Sequence, residues 1–169
     1  VHHGYFFKGE PEVITGIKRQ RIATLLAHDI NLLAYHLPLD FHQELGNNVL
    51  LAGVLGFQID GTFAVGTWPQ AGCYGRLPSE QTGDALADQI ATALGRQPLH
   101  IAGNTRPIKT IAWATGAAQD FIVQAHEQGV DAFLTGEVSE RTCHFARELG
   151  MHFFAAGHHA TERYGVQAL

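Results

Sequence analysis

The feature that most limits the possible folds is an alternation of apolar runs and amphipathic stretches that begins near residue 108. Apolar runs over 108–115, 130–135 and 152–156 predict strands, and the stretches 116–128 and 139–149 between them predict helices. Strands that alternate with helices favour a parallel sheet with right-handed crossovers. We therefore predict an α/β fold with helices packed against the sheet.

The earlier part of the chain carries a less regular pattern. Helical spacing or capping residues predict helices over 18–28, 47–55 and 79–94, and apolar runs predict strands over 31–35 and 98–102. Glycines and short β-rich pieces over 57–78 predict a strand or hairpin insertion.

Two short motifs place a histidine four residues before a carboxylate. They are His36 with Asp40, and His158 with Glu162 after the turn residue Gly157. On a helix, residues at i and i+4 project from the same face, which is a chelating geometry. The alternative for His158 and Glu162 is a helix-face ion pair of small energetic value.

The repeated motif suggests a duplicated architecture. We predict two interlinked, topologically similar α/β halves with mostly parallel sheets and a metal cleft between them. Residues 1–56 form the first half, 57–107 a β-rich insertion and a helix that lead into the second half, and 108–169 the second half.

The candidate site residues share one property, because each falls just past a predicted strand. They are His2, His3, His36, Asp40, Glu137, His158 and Glu162. Sites in parallel α/β sheets lie at the carboxyl ends of the strands, so we expect these side chains to meet at one edge of the sheet.

Composition favours metal or proton chemistry and excludes some other classes. The 11 histidines equal lysine and arginine combined. Imidazoles and carboxylates without thiolate suit zinc, iron, manganese or nickel. A net charge of -5 without a basic cluster argues against a dedicated nucleic-acid surface, and no apolar run reaches the roughly 18 residues of a membrane span.

The two cysteines indicate the compartment. Cys73 and Cys143 lie far apart and form no CxxC pair, so neither a disulfide framework nor a thiolate zinc site is indicated. A reducing cytoplasm fits this usage best.

Four sequence motifs together resemble the YbgI family, the GTP cyclohydrolase 1 type 2 homologues. The motifs are Val1-His2-His3-Gly4-Tyr5-Phe6-Phe7-Lys8-Gly9, Tyr35-His36-Leu37-Pro38-Leu39-Asp40, Leu134-Thr135-Gly136-Glu137 and Gly157-His158-His159-Ala160-Thr161-Glu162. The resemblance extends over the whole chain. Family members are longer at both ends, so we expect this chain to be part of a longer protein.

The resemblance implies a toroidal homohexamer with a dinuclear metal centre in the cleft of each subunit. It implies His2, His3, Asp40, His158 and Glu162 as ligands of two divalent ions, with Glu162 bridging them. His36 would then lie near the metals without being a ligand. Gly4 and Tyr5 depart from the Pro-Leu that commonly follows the histidine doublet.

Metal-dependent hydrolysis is the leading functional interpretation, since a binuclear centre activates water near neutral pH. The family name suggests a nucleotide or a pterin-precursor ring as the small-molecule substrate. His36 or Glu137 would serve as the catalytic general acid or base. The alternative is a non-catalytic metal-binding or partner-binding ring, because a fold and a site do not establish turnover.

Overall fold

The computed structural model describes residues 1–7 and 9–169; Lys8, which belongs to the first of the four motifs, lies outside the described residues. The strands are Gln58–Val65 (β1), Trp68–Gln81 (β2), Leu99–Ile101 (β3), Ile108–Trp113 (β4), Ala132–Thr135 (β5) and His152–Ala155 (β6). The helices are Gly16–Ala27 (α1), Leu37–Asp40 (α2), Asn47–Leu55 (α3), Gly83–Leu94 (α4), Ile122–His126 (α5), Glu140–Glu148 (α6), His158–Thr161 (α7) and Tyr164–Ala168 (α8), with a 3-10 turn at Gln119–Phe121. The predicted α/β class is confirmed.

These strands form one six-stranded mixed sheet in the order β1-β2-β4-β5-β6-β3. The neighbours β4, β5 and β6 are parallel, whereas the β1–β2, β2–β4 and β3–β6 pairs are antiparallel. The prediction of mostly parallel sheets is therefore wrong. A connection of two residues between β1 and β2 is too short for a parallel crossover and forces an antiparallel hairpin. The hairpin predicted over 57–78 is present, and it joins the sheet through β2.

Alternate side chains of the central strands pack on opposite faces of the sheet. Ile111 and Trp113 of β4 belong to a buried cluster with residues of α3 and α4. Ala112 of β4 and Phe133 of β5 belong to a second cluster with Ile122 of α5. Because both faces are covered, these strands are apolar along their whole length, and this is the pattern that the sequence shows after residue 108.

The segment 31–35 is not the buried strand that its apolar residues predict. It carries no strand in the structure, and Leu33 and Tyr35 are 64% and 50% exposed. Val1 is the described residue that pairs with it, through bonds from Val1 N to Leu33 O and from Tyr35 N to Val1 O. Backbone pairing with a single described residue is too short to build a ladder.

The division into two interlinked halves, with boundaries at 1–56, 57–107 and 108–169, stays a prediction.

Among the described residues, no helix has both the length and the apolar character that crossing a membrane requires.

Asp131 fastens the beginning of β4 to the beginning of β5. Its Oδ2 accepts hydrogen bonds from the backbone N–H groups of Lys109 at 3.0 Å and Thr110 at 2.9 Å, and from Thr110 Oγ1 at 2.8 Å. Burial raises the pKa of Asp131, but these donors outweigh burial and hold the pKa below its ordinary value. The charged carboxylate therefore stabilises the pairing of the two parallel strands.

We expect Asp131→Asn to lower the free energy of unfolding at neutral pH by about 1–2 kcal/mol, because hydrogen bonds to a charged acceptor become bonds to a neutral one. The folded pKa lies below the unfolded one, so the contribution is complete above the unfolded pKa of about 4 and is lost as the pH falls through the folded pKa. Urea unfolding at pH 7 and at decreasing pH should show the deficit shrinking in acid.

The control is Asp88→Asn, at an exposed position of α4, which should change stability little at any of these pH values. An Asp131→Asn deficit that stays the same across the pH range would contradict a role for the charge.

Candidate metal centre

The carboxyl ends of β4, β5 and β6 lie at one edge of the sheet, because these three strands are parallel. The chain leaves the three strand ends through turns that contain Gly116, Gly136 and Gly157. Gly116 and Gly157 have positive φ angles of 69° and 100°, which glycine adopts without steric cost. Glu137 and His158 follow two of these turns directly, at the edge where the sequence predicts a site.

The single turn of α7 brings His158 and Glu162 into contact. His158 Nε2 lies 2.7 Å from Glu162 Oε2, which is the contact that the i, i+4 spacing predicts. On the other side of the ring, His158 Nδ1 lies 2.6 Å from Glu137 Oε1. An ionised carboxylate only accepts hydrogen bonds, so Nδ1 carries a proton and Nε2 is the nitrogen turned toward Glu162.

His2 is buried between the two carboxylates of the site. Its Nδ1 donates to the backbone oxygen of Tyr35 at 2.8 Å, because a carbonyl oxygen can only accept. Its Nε2 lies 3.2 Å from Asp40 Oδ1 and 3.4 Å from Glu162 Oε1, yet it makes no aligned hydrogen bond to any described residue. When His2 is neutral its proton is on Nδ1, so the lone pair of Nε2 is free and a metal ion would take it.

Glu162 contacts three imidazoles with its two oxygens. Oε1 faces His2, and Oε2 faces both His158 and His3, whose Nε2 lies 3.0 Å away. His2, His3, His36 and Glu162 each offer one ligand atom, and these atoms all lie within 4.8 Å of one another. A group of ligand atoms this close together could hold a metal ion.

Asp40 is held in place by residues that the sequence does not single out. Asn47 Nδ2 donates to Asp40 Oδ1 at 2.8 Å, and Thr115 Oγ1 approaches the same oxygen at 3.4 Å. Asn47 Oδ1 in turn accepts from Gly165 N at 2.8 Å. These contacts fix a buried carboxylate that shares the His2 nitrogen with Glu162, so the two acids belong to one cluster.

The charges of the cluster shift the pKa values of its side chains in different directions. Burial raises the pKa of Glu162, but His2, His158 and His3 outweigh burial and lower it. Burial and the neighbouring imidazoles lower the pKa of His3. Burial lowers the pKa of His2, but Asp40 and Glu162 outweigh burial and raise it to about 10. Glu162 is thus charged and His3 neutral at pH 7, and the proton on His2 occupies the position that a cation would take.

The donor set fits a divalent metal. Imidazole nitrogens and carboxylate oxygens converge without a thiolate, which suits zinc, iron, manganese or nickel. The side-chain partners of His158 and Asp40 are of the kind that orient metal ligands in proteins. The structure thus brings together all five side chains that the resemblance implies as ligands, and it adds His36 to their neighbourhood.

Sequence reasoning misses the anchors and the aromatic surroundings of this cluster. Asn47 is interpretable from sequence only as a residue near a helix start, and Thr115 as part of a strand end. Trp68 and Phe121 line the adjacent cleft. Trp68 lies in the segment whose pattern is least regular, so no periodic signal marks it.

Comparisons with known proteins agree with one another. A family model described as Duf34/NIF3 (NGG1p interacting factor 3) matches residues 1–169. The GTP cyclohydrolase 1 type 2 homolog of Pseudomonas aeruginosa is 55% identical over 169 residues, a match that covers 100% of this chain and 67% of that protein. The Escherichia coli protein of the same name is 54% identical over 172 residues, with 100% and 67% covered.

Solved structures give the same result. A structure described as protein ybgI, of unknown function, has a TM-score of 0.94 and 52% identity, covering 99% of this chain and 66% of that chain. A Thermus thermophilus protein has a TM-score of 0.77 and 32% identity, covering 96% of this chain and 64% of its own. This chain spans about two thirds of the length of these relatives.

Gly116→Ala tests the position of Glu162. A Cβ at Gly116 would overlap Glu162 Oε1, so we expect the substitution to displace the carboxylate and to abolish the binding of Zn²⁺ in a calorimetric titration. Alanine at this positive φ also costs about 1–2 kcal/mol of stability.

Gly129→Ala is the matched control, since Gly129 has a φ of 72° and a Cβ there would meet no described atom within 4 Å. It should lose similar stability and keep its zinc affinity. Equal zinc affinities for the two variants would refute the placement of Glu162 in a metal site.

Proposed function

The chain belongs to the Duf34/NIF3 family, and from this membership and the cluster around Glu162 we propose that it is a dinuclear metal-binding protein. We further propose that it acts as a metal-dependent hydrolase on a nucleotide-like or heterocyclic substrate. His2, His3, Asp40, His158 and Glu162 would hold two divalent ions, drawn from zinc, iron, manganese or nickel.

The observation that carries the proposal is the way the two oxygens of Glu162 face different imidazoles. Oε1 faces His2, whose Nε2 also approaches Asp40, while Oε2 faces His3 and His158. One carboxylate between two groups of donors supports two neighbouring ions rather than one. Bound ions would supply Lewis-acid activation of water and polarisation of the substrate.

The protein's own groups set the orientation of the ligands. Tyr35 O holds the Nδ1 proton of His2, and Glu137 holds the Nδ1 proton of His158, so in both rings Nε2 faces the cluster. With a metal bound, these partners would keep the ring proton on Nδ1 and leave Nε2 to the ion, which strengthens metal binding. Glu137 thus acts as a positioning residue for His158, and its predicted role as an acid or base stays a prediction.

His36 is the side chain best placed to move a proton during hydrolysis. Its ring centroid lies 4.8 Å from that of His3 and 5.1 Å from that of His2, and it lines the cleft beside the cluster. In hydrolysis, the hydroxyl group of a water joins the attacked atom, and the leaving atom takes a proton. We propose that His36 gives or takes that proton.

Two further parts of the proposal concern substrate and assembly. Relatives carry the name GTP cyclohydrolase 1 type 2 homolog, which supports a nucleotide or a related heterocycle as the small-molecule substrate. None of the residues of α1 is buried, and its Ile17 and Leu26 are exposed; a helix with no covered face supports association into a larger ring such as a homohexamer. We propose a cytoplasmic location.

The direct test uses the full protein that contains this chain, loaded with Zn²⁺ or Mn²⁺ and incubated with a panel of nucleotides and free heterocycles. Mass spectrometry should detect a product that is heavier by one water or split by it. A chelator should stop product formation, and added metal should restore it. Glu162→Gln should lose both ions and all turnover, because two neighbouring cations would lose the charge between them.

His159→Ala is the matched control, since this neighbouring histidine is exposed and should leave two ions per subunit by elemental analysis. Two retained ions in Glu162→Gln would overturn the bridging role of Glu162. Two ions in the unmodified protein without turnover on any panel member would favour a non-catalytic metal-binding ring.

A further inference from the structure

A cleft of about 360 Å³ opens beside the metal cluster. One part of its lining consists of His36, His158 and Glu162 of the cluster. Another part consists of the aromatic side chains of Phe7, Phe41, Trp68 and Phe121. A molecule that fills this cleft therefore meets polar donors at one place and aromatic rings at another.

The aromatic side chains form two groups. Trp68 and Phe121 lie with ring centroids 6.3 Å apart and planes tilted by 56°. Phe7 meets His3 and His36 edge to face, with centroids 6.1 Å and 5.6 Å apart. Rings in tilted or edge-to-face contact leave part of their faces open to a further flat molecule.

Trp68 differs from the other tryptophan in a way that points to a ligand. Trp113 is fully buried in the core, and its Nε1 donates to Asn48 O at 2.8 Å. Trp68 is 41% exposed and lines the cleft at the start of β2. Trp68 is thus a large aromatic side chain that lies partly in water and lines the same cleft as polar groups of the cluster.

A hydrogen bond keeps the aromatic wall close to the cluster. Gln43, in the loop after α2, donates from Nε2 to Gln70 Oε1 at 2.8 Å and to Phe41 O at 3.1 Å. Gln70 is two residues from Trp68 in β2. The loop that carries Phe41 and the strand that carries Trp68 are thereby joined by one side-chain hydrogen bond.

We propose that this cleft binds a planar nitrogen heterocycle of nucleobase size, stacked on Trp68 with Phe121 against its edge and with its polar edge turned toward the metal cluster. This inference rests on the proposed function and names the side chains of the same site that would hold the ring. A flat apolar face fits the aromatic rings, and ring nitrogens or exocyclic groups fit the imidazoles and the carboxylate.

Size and charge agree with this ligand class. A volume of about 360 Å³ lies at the small end of the roughly 300–1,000 Å³ that ligand sites occupy, so the cleft holds one ring system and little more. None of the described lining residues is a lysine or an arginine. Aromatic faces and imidazoles are therefore what the described walls offer to a ligand.

The test measures binding of guanosine to the metal-loaded full protein, with ribose 5-phosphate as the probe without a base. Guanosine should quench the fluorescence of Trp68, and ribose 5-phosphate should not. In calorimetry, Trp68→Leu and Phe121→Leu should each weaken guanosine binding about tenfold, because a leucine keeps apolar volume but offers no aromatic face or edge. Trp68→Phe should restore most of the affinity.

Phe145→Ala is the control, because this exposed side chain lies on α6 and does not line the cleft; its affinity should be unchanged. Metal content and melting temperature of each variant separate lost stacking from lost folding.

Guanosine binding that is absent, or that is the same in Trp68→Leu and the unmodified protein, would overturn the inference. Metal-dependent turnover that survives in Trp68→Leu with unchanged KM would overturn it while leaving the proposed function intact. Trp68-dependent binding without turnover would support the inference and overturn the hydrolase proposal.

Discussion

The arrangement of the site depends on a buried negative charge, the carboxylate of Glu162. An ionised carboxylate removed from water is unstable unless charges or donors surround it. Here three imidazoles from distant parts of the sequence supply them, because His2 and His3 lie at the start of the chain and His158 follows the last strand. Glu162 thus joins the first and last segments of the chain. The proposed metal site depends on these contacts.

The sheet provides the fixed frame for this carboxylate. Three parallel strands end at one edge, and glycines in the turns that follow allow the backbone to pass close to the site. The carboxylate of Glu162 fits beside Gly116 only because glycine has no side chain. Helices cover both faces of the sheet, so the edge that carries the site rests on a well-packed core. The positions of the side chains at the site therefore depend on the strands and not on the loops alone.

The spacing of nearby residues predicts part of the site and of the fold. It does not predict which distant segments pair with one another. The contact between His158 and Glu162 follows from helical geometry over five residues, and the α/β class follows from regular alternation after residue 108. The strand over 31–35 was wrong because apolar composition does not reveal whether a partner strand lies alongside. The mixed sheet was missed because strand direction depends on which strands become neighbours. The role of Asn47 is not predictable from local spacing either, because its partner Asp40 lies in a different helix, α2.

The central claim is that Glu162 lies between two metal ions. Crystals of the full protein, measured at wavelengths on both sides of the absorption edge of the metal found in it, test the claim most directly. The account predicts two anomalous peaks in each subunit, about 3.5–4 Å apart, with the carboxylate of Glu162 between them. A single peak, or peaks at side chains away from this cluster, would contradict it.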